Sequence, residues 1–269
     1  MHRSDSAPAA SGAIVRLSDV HLRYGAVEAL AGVSMDVAPG SLTALVGRNG
    51  AGKTTMINLL CGLLVADRGR IELFGRGWGG EDGSENGEEL RRSAGFLLSD
   101  PALFQYLTVS ETLEFLADAY GLPVGDASRH VEDLLRFFDL DSVRDRMSDE
   151  LSTGTTKRLA LAAALVHAPR LLLLDEPFES LDPLLVRRLR RLLVRYARRG
   201  GSVLLSSHLV DVVQEICDHV YILEKGKIVF EGPGSQFRDR AAPSDQVGAL
   251  ESKYASLVDS TGDVEVDWL

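Results

Sequence analysis

A glycine-rich segment near the amino end contains the residue types that bind phosphate groups. It reads Gly47-Arg48-Asn49-Gly50-Ala51-Gly52-Lys53-Thr54, continues with Thr55, and matches the P-loop pattern. The apolar run from Leu42 to Val46 precedes it and a helix-like stretch follows, which is the context the pattern requires. The loop amides and the helix N-terminus would cradle phosphates, Lys53 would reach the β and γ groups as a catalytic residue, and Thr54 would bind Mg²⁺.

Two later apolar runs end in residues suited to chemistry on a phosphate. Leu171 to Leu174 is followed by Asp175 and Glu176, and Ser202 to Leu205 is followed shortly by His208. Open α/β sheets bind ligands at the carboxyl ends of their strands. Asp175 would hold Mg²⁺ through water, and Glu176 would polarise the attacking water. An Asp-Glu ending and a lone histidine are each commonly structural, but three converging strand ends favour catalysis, with His208 contacting the γ-phosphate.

The elements around these residues indicate an α/β fold. Short β-rich segments broken by glycines fill Ala13 to Val46, which predicts a β-rich opening layer. A helix from about Lys53 to Leu64 and a strand near Arg70 to Phe74 would follow. The two later apolar runs suit central parallel strands covered on both faces. The stretch from Gly75 to Glu89 shows no periodicity and is interpreted as a surface excursion.

A helical section is predicted between these strands, from about Asp100 to Leu165. Thr108-Val109-Ser110-Glu111 has the capping-box pattern for a helix that runs to about Tyr120. A second, amphipathic helix is expected over about Ala127 to Phe138. The section therefore reads as an all-helical insertion.

A further helix is predicted to start at Asp182-Pro183, a good N-cap followed by proline, and to end before Gly200-Gly201. It carries seven arginines between Arg187 and Arg199. Its apolar residues at helical spacing are Leu185, Leu189, Leu192 and Tyr196. A solvated basic face over an apolar stripe is the expected arrangement.

Composition narrows the class of protein. The chain has 269 residues, 45% hydrophobic content and a formal net charge of −10, which fits a globular protein and disfavours a nucleic-acid partner. Cys61 and Cys217 suggest neither a disulfide framework nor a zinc site. The longest apolar stretches fall short of the roughly 20 residues that cross a bilayer. Residues 1–12 read as a flexible tail, and the acidic end contains a possible amphipathic helix over about Gln246 to Leu257.

One further segment carries a resemblance to a known family. Leu151-Ser152-Thr153-Gly154-Thr155 lies about twenty residues before Asp175. Ser152 and Gly154 would open a helix whose free amides and positive dipole end suit an anion. Alone, this is an ordinary serine cap. Combined with the P-loop and the acidic strand, it makes the chain resemble the ATP-binding cassette (ABC) family, whose signature is LSGGQ, over about Ile14 to Gly232.

The resemblance implies a P-loop NTPase cassette over residues 13–235, with a β-rich edge subdomain and an inserted helical subdomain at about 100–165. A C-terminal extension would occupy residues 236–269. Family members form a head-to-tail dimer in which one subunit's signature, here Ser152 and Gly154, closes on ATP held by the other's P-loop. Tyr24 matches the aromatic that stacks on adenine. Asp182 matches the loop that crosses between subunits.

Two positions depart from the family pattern. The family usually has glutamine where Ser99 stands, and that glutamine links Mg²⁺ and the attacking water to the membrane partner. The shorter hydroxyl of Ser99 would need an extra water to do the same. Thr155 replaces the last glutamine of the signature, although Ser152 and Gly154 remain. The hypothesis is that turnover survives but is slow or differently coupled.

The resulting interpretation is an ATP-hydrolysing subunit, a homodimer or heterodimer with a second cassette, which powers a separate membrane permease of the export type. Such a chain would sit peripherally at the cytoplasmic face of the membrane and bind no nucleic acid. The alternative from another class is a soluble ABC ATPase acting on a protein assembly, as in cofactor-cluster biogenesis. A third interpretation is a nucleotide-regulated binding subunit with vestigial hydrolysis, and Ser99 is its only support.

Overall fold

A six-stranded sheet lies at the centre of the structure. The computed structural model describes residues 12–79, 87–101 and 103–238. The strands of this sheet are β3 (Leu42–Val46), β6 (Ala94–Leu97), β7 (Leu171–Leu174), β8 (Ser202–Ser207), β9 (His219–Glu224) and β10 (Lys227–Pro233). Their order is β10-β9-β3-β8-β7-β6, and all pair in parallel except β10 with β9. The carboxyl ends of β3, β6, β7 and β8 therefore share one edge of the sheet.

The central strands β3, β7 and β8 are buried along their whole length. This explains why they read in the sequence as continuous apolar runs, since strands covered on both faces need no polar alternation. Leu171 and Leu173 face one hydrophobic cluster, whereas Leu172 and Leu174 face the other. The two faces of the sheet thus belong to two cores.

A second, antiparallel sheet covers one of these faces. It consists of β1 (Val15–Tyr24), β2 (Val27–Val37), β4 (Arg68–Leu73) and β5 (Arg76–Trp78), in the order β2-β1-β4-β5. The β-rich layer predicted for Ala13 to Val46 is confirmed with one refinement. Its last strand, β3, leaves the layer for the central sheet, because the P-loop that follows must sit at the parallel edge.

Eight α-helices are described. They are α1 (Lys53–Leu60), α2 (Gly87–Arg92), α3 (Val109–Ala119), α4 (Val124–Phe137), α5 (Thr153–Leu165), α6 (Pro183–Arg198), α7 (Val210–Ile216) and α8 (Ser235–Arg238). Helix α1 packs between the two sheets, and α3 to α6 contribute to the core on the opposite face. The α/β fold with a β-rich edge and a helical insertion is confirmed.

The helical section contains α3, α4, α5 and two short 3₁₀ helices, Asp141–Val143 and Ser148–Glu150. The predicted capping box is present. The Glu111 amide donates to Thr108 Oγ1 at 3.2 Å, and the Thr108 amide donates to Glu111 Oε2 at 2.8 Å. Helix α4 begins at Val124, three residues before the predicted start, since Pro123 supplies its N-cap position.

The interpretation of Gly75 to Glu89 as a surface excursion is wrong at both ends. Strand β5 and helix α2 lie within or across it, and residues 80–86 fall outside the described part of the chain. Trp78 is buried, and its indole donates to the Leu59 carbonyl at 2.9 Å. The indole thus contacts the last turn of α1 and packs over Gly62. These contacts help to end α1 at Leu60 instead of at the predicted Leu64.

Helix α6 starts at the predicted Asp182 cap, but its buried stripe differs from the prediction. Leu185 and Leu189 are buried as expected, whereas Leu193 and Ala197 take the places expected for Leu192 and Tyr196, which are half-buried. The buried residues Leu185, Leu189, Leu193 and Ala197 follow one another at i+4, and residues four apart lie on the same face of a helix.

No described helix is long and apolar enough to cross a bilayer. Both cysteines are buried thiols, and burial raises the pKa of the Cys61 thiol to about 12. The tail assigned to residues 1–12 lies almost wholly outside the described residues, and the helix expected over about Gln246 to Leu257 lies outside them entirely.

Candidate functional site

The glycine-rich loop joins the carboxyl end of β3 to α1, as predicted, and two of its glycines are sterically required. A Cβ on Gly47 would lie 2.5 Å from the Leu223 carbonyl oxygen. Gly52, the N-cap of α1, has a left-handed φ of 110°, and a Cβ there would lie 2.6 Å from the Ala29 oxygen. Strands β2 and β9 therefore press directly on the loop.

The remaining loop residues divide by exposure. Asn49, Gly50 and Thr54 are exposed, Thr55 is half-buried, and Ala51 is buried. The Ala51 carbonyl accepts from the Gly226 amide at 2.9 Å. The loop is thus anchored on its inner side, with its outer side free to meet a phosphate chain.

Lys53 is a buried cation at the start of α1, with 6% of its surface exposed. Its ammonium group donates to the Gly47 carbonyl at 2.8 Å and lies 3.3 Å from Glu176 Oε1. A buried charge needs such partners, since leaving it unpaired costs several kcal/mol or more. The contact joins the P-loop to the carboxyl end of β7.

Glu176, which follows β7, contacts residues that follow β3 and β8 at the common edge. Its carboxylate contacts Lys53 through Oε1 and His208 through Oε2, which is 3.0 Å from His208 Nδ1 and accepts from the His208 amide at 3.2 Å. The backbone of Glu176 has a φ of 47°, a left-handed conformation that costs a non-glycine residue free energy and is common at functional sites. The predicted convergence of Lys53, Glu176 and His208 is therefore observed.

Asp175, Ser99 and Thr54 form a set of oxygen atoms beside this cluster. The Ser99 hydroxyl donates to Asp175 Oδ2 and lies 3.5 Å from Thr54 Oγ1. Hydroxyl and carboxylate oxygens are the donors that Mg²⁺ prefers, usually through one or two carboxylates plus substrate phosphates. The set fits Mg²⁺ on these grounds. Ser99 reaches Asp175 directly. The expectation that its short hydroxyl needs an extra water to link Mg²⁺ and the attacking water to the membrane partner stays a prediction.

Two residues that sequence reasoning did not assign to the site support the acidic pair. The buried hydroxyl of Ser206 donates to Asp175 Oδ1 and accepts from the Glu176 amide at 2.9 Å. The ammonium of Lys157, 7% exposed, donates to the Asp175 carbonyl at 3.2 Å. Burial lowers the pKa of Lys157, while Asp175 opposes that shift. A serine inside an apolar strand was the available signal for Ser206; the sequence offers none for Lys157.

Tyr24 lies at the end of β1, where it pairs with Val27 across the turn into β2. Its side chain is 51% exposed. Two residues beyond Val27, the carbonyl of Ala29 contacts the P-loop at Gly52. The exposed ring therefore stands on the hairpin that flanks the phosphate loop, where an aromatic platform for a base would be useful.

The signature segment forms the amino end of α5. Ser152 is the N-cap and accepts from the Thr155 amide at 3.3 Å, and its hydroxyl lies 2.8 Å from Thr155 Oγ1. A Cβ on Gly154 would lie 3.2 Å from the Ser180 carbonyl. Among the described residues, the hydrogen bonds of Ser152 go to its own helix turn, so the structure does not bring this segment to the P-loop of the same chain.

Asp182 caps α6 and is exposed at the turn after β7. Its carboxylate accepts from the amides of Leu184 and Leu185, each at 3.0 Å. The amide of Leu185, followed by that of Leu184, lowers the pKa of this carboxyl below its usual value. The residue stays ionised through the neutral range and faces solvent beside the signature segment.

An edge that combines a P-loop, a buried lysine, an acidic pair and a histidine defines a nucleotide-hydrolysing site of the P-loop class. The sequence profile of the ABC transporter family matches residues 30–179. The bacitracin transport ATP-binding protein BcrA of Bacillus licheniformis is 32% identical over 228 residues, 84% of this chain and 72% of the relative. The chain belongs to the ABC transporter family and is an ATP-binding ATPase of that family.

Two further comparisons widen this result. The methionine import ATP-binding protein MetN of Rhizobium johnstonii is 36% identical over 230 residues, 85% of this chain and 63% of the relative. A solved ATP-binding subunit of an ABC transporter superposes with a TM-score of 0.80 at 30% identity, covering 91% of this chain and 99% of that one. The family resemblance read from the P-loop and signature is confirmed.

Proposed function

We propose that this chain is the ATP-hydrolysing subunit of an ABC exporter, which dimerises around ATP and powers a separate membrane permease. The observation that carries the proposal is the contact of Glu176 with both Lys53 and His208 at one sheet edge. Catalysis of phosphoryl transfer depends on positioning and electrostatics, and this edge provides both.

Each residue has a proposed role. Lys53 binds the β- and γ-phosphates together with the amides of the loop from Gly47 to Thr54. Glu176 orients and polarises the attacking water, and His208 holds Glu176 in place and contacts the γ-phosphate. Tyr24 stacks on adenine. Thr54, Ser99 and Asp175 would hold Mg²⁺, which would neutralise charge on the phosphate oxygens.

The signature segment acts on a second subunit in this proposal. The amino end of α5 carries free amides and a positive dipole end, both of which favour an anion. Since Ser152 and Gly154 do not contact the P-loop of their own chain, we assign them to the ATP bound by a partner cassette, with Asp182 lining the passage between the two. The partner is a second copy or a related cassette.

The names of two relatives support coupling to transport: BcrA is named as a transport ATP-binding protein and MetN as an import ATP-binding protein. The export direction rests on the Leu-Ser-Thr-Gly signature. We place the cassette at residues 13–235, the helical subdomain at about 100–165 and the extension at 236–269, peripheral to the cytoplasmic face.

Hydrolysis is tested by Glu176→Gln, which keeps the size of the side chain and removes its charge. Loss of a positioned general base lowers the rate by about 10²- to 10⁴-fold, and ATP binding should persist. The control is Glu179→Gln, three residues along and outside the Lys53 and His208 contacts. An unchanged ATPase rate in Glu176→Gln would instead favour vestigial hydrolysis.

Coupling to a permease is tested by capturing the tagged chain from gently solubilised membranes of its native host. The expected result is a stoichiometric partner with several apolar spans. The matched control is the chain carrying Glu176→Gln, which should capture the same partner because assembly does not require turnover. Recovery of soluble partners alone would favour the alternative, an ABC ATPase acting on a protein assembly.

A further inference from the structure

A groove lined by arginines runs between α6 and α7, away from the ATP site. It encloses about 690 Å³ and includes Arg187, Arg191, Arg195 and Arg198 of α6. Its floor is apolar at Val194 and Ile216. Glu215 of α7 enters the groove but is already paired with Arg190. The groove therefore presents an excess of positive charge over an apolar strip.

Four of the five arginines that line the groove are exposed. None of Arg187, Arg191, Arg195 and Arg198 forms an ion pair or a hydrogen bond with any residue in the described part of the chain. Arg188 of α6, which does not line the groove, differs, since it pairs with Asp139 at 2.8 Å. A row of unpaired cations on a chain of net charge −10 selects an anionic ligand.

The chain itself contains a matching anionic segment. Residues 239–269, outside the described residues, contain seven acidic residues and two basic ones, a net charge of −5. Within them the run Asp263-Val264-Glu265-Val266-Asp267 alternates acidic and apolar side chains. In an extended segment, residues two apart lie about 6.6 Å apart on one face.

The spacing of the arginines fits that repeat. Arg187, Arg191 and Arg195 follow one another at i+4 along α6, and such residues lie about 6 Å apart on the same side of a helix. Three acidic side chains at about 6.6 Å can therefore each meet one arginine.

The path of the chain allows this contact. Helix α8 ends at Arg238 and packs on α7, the helix that contributes Glu215 and Ile216 to the groove. The 25 residues from Arg238 to Asp263 can extend to about 80 Å, whereas α6, with 16 residues, is about 24 Å long. We propose that residues 263–267 bind in the arginine groove of the same chain, as an intramolecular ligand that ties the carboxyl end to α6 and α7.

A spin label tests the proposal in the full chain. Ser260→Cys places a thiol three residues before the segment for labelling, and Cys61 and Cys217 are buried. A nitroxide there should show an immobilised component at low salt, independent of protein concentration. Arg191→Glu with Arg195→Glu should lower the ratio of immobilised to mobile label about tenfold, as should 0.5 M salt.

Two controls make the result specific to these charges. Arg68→Glu reverses an exposed arginine on β4, outside the groove, and should leave the spectrum unchanged. Adding Asp263→Lys and Glu265→Lys to the two arginine reversals should restore the immobilised component. This charge swap distinguishes a direct contact from damage to α6, because only a direct contact is rescued.

Three outcomes would overturn the proposal. The label could be fully mobile at low salt, or its immobilisation could survive the groove reversals, which would place the segment elsewhere. Alternatively, vesicles containing anionic phospholipid could bind the wild-type chain and the chain carrying only Asp263→Lys and Glu265→Lys equally well. Binding of either chain would then be abolished when Arg191→Glu and Arg195→Glu are added. That result would assign the groove to a membrane surface. None of these residues belongs to the ATP site, so hydrolysis should be unaffected throughout.

Discussion

The P-loop edge and the signature segment are both places where a helix begins beside the sheet, yet their side chains bond differently. At the P-loop edge, Glu176 contacts both Lys53 and His208, and the three residues follow three different strands. In the signature segment, the hydrogen bonds of Ser152 to described residues stay within the first turn of α5. The first region is assembled by the fold of one chain, whereas no other described part of the chain hydrogen-bonds to Ser152 at the start of α5. The difference supports a site shared by two subunits.

After Glu176→Gln, the largest expected effect comes from Lys53, whose ammonium group joins the P-loop to Glu176. Lys53→Ala removes the charge that we assign to the phosphates and leaves Glu176 with one fewer partner. We expect ATPase activity to fall about 10²- to 10³-fold, the range for losing one preorganised electrostatic contact, with weaker ATP binding. Steady-state hydrolysis and nucleotide titration measure the two effects.

The matched control is Lys157→Met, which replaces the other buried lysine near Asp175. Lys157 contacts a backbone carbonyl and no Glu176 oxygen, so nucleotide affinity should change far less than in Lys53→Ala. If both variants lost ATP affinity equally, the P-loop edge would depend on bulk positive charge and the assigned role of Lys53 would be wrong.

At the opposite end of α5, we expect His167 to contribute to the stability of the fold and not to ATP binding. His167 follows the helix, stacks on Tyr120 with ring centroids 3.7 Å apart, and has a pKa lowered to about 4 by burial. Because the folded state resists protonation, its contribution is complete above about pH 6.5 and is lost as the pH falls toward 4. Allowing for partial exposure, the loss is about 2 kcal/mol.

His167→Phe preserves the ring stack and cannot titrate. Urea unfolding at pH 7 and pH 4.5 should show a smaller loss of stability for this variant than for the wild type, with ATP affinity at pH 7 unchanged. An equal loss of stability in both proteins would show that His167 does not carry the effect.

The sequence predicted the parts of this comparison that depend on neighbouring residues. The P-loop, the capping box at Thr108 and the cap at Asp182 are local patterns with local causes, and each was found where expected. The buried parallel strands could also be predicted from the sequence, because a strand that is covered on both faces needs an unbroken apolar run. Strand ends then placed Asp175, Glu176 and His208 at one edge.

The missed features all involve contacts distant in the sequence. The indole of Trp78, in β5, donates to the Leu59 carbonyl, in α1, and the lack of periodicity in this stretch gave no sign of that contact. Ser206, in β8, and Lys157, in α5, both donate hydrogen bonds to Asp175. The buried stripe of α6 shifted from Leu192 to Leu193 because packing on the sheet, which periodicity alone does not specify, selects the face.

Ser99 gives the smallest expected effect and sharpens the P-loop side of the comparison. Its hydroxyl contacts Asp175 directly, whereas a glutamine could extend further toward the attacking water. Ser99→Gln should raise basal ATPase about threefold, less than 1 kcal/mol in the barrier, and change its stimulation by the membrane partner. Ser99→Ala is the control and should lower the basal rate. No change in either rate or stimulation by Ser99→Gln would contradict the proposed coupling role.

The central claim, that the signature segment completes a site on another subunit, is tested most directly by molecular mass with ATP. In a Glu176→Gln background, light scattering should report a dimer. Ser152→Asp keeps an N-cap oxygen but adds a negative charge facing the phosphate, so it should give ATP-bound monomers; Ser152→Asn, neutral and also a good cap, should remain dimeric. A dimer that persists in Ser152→Asp would contradict the account.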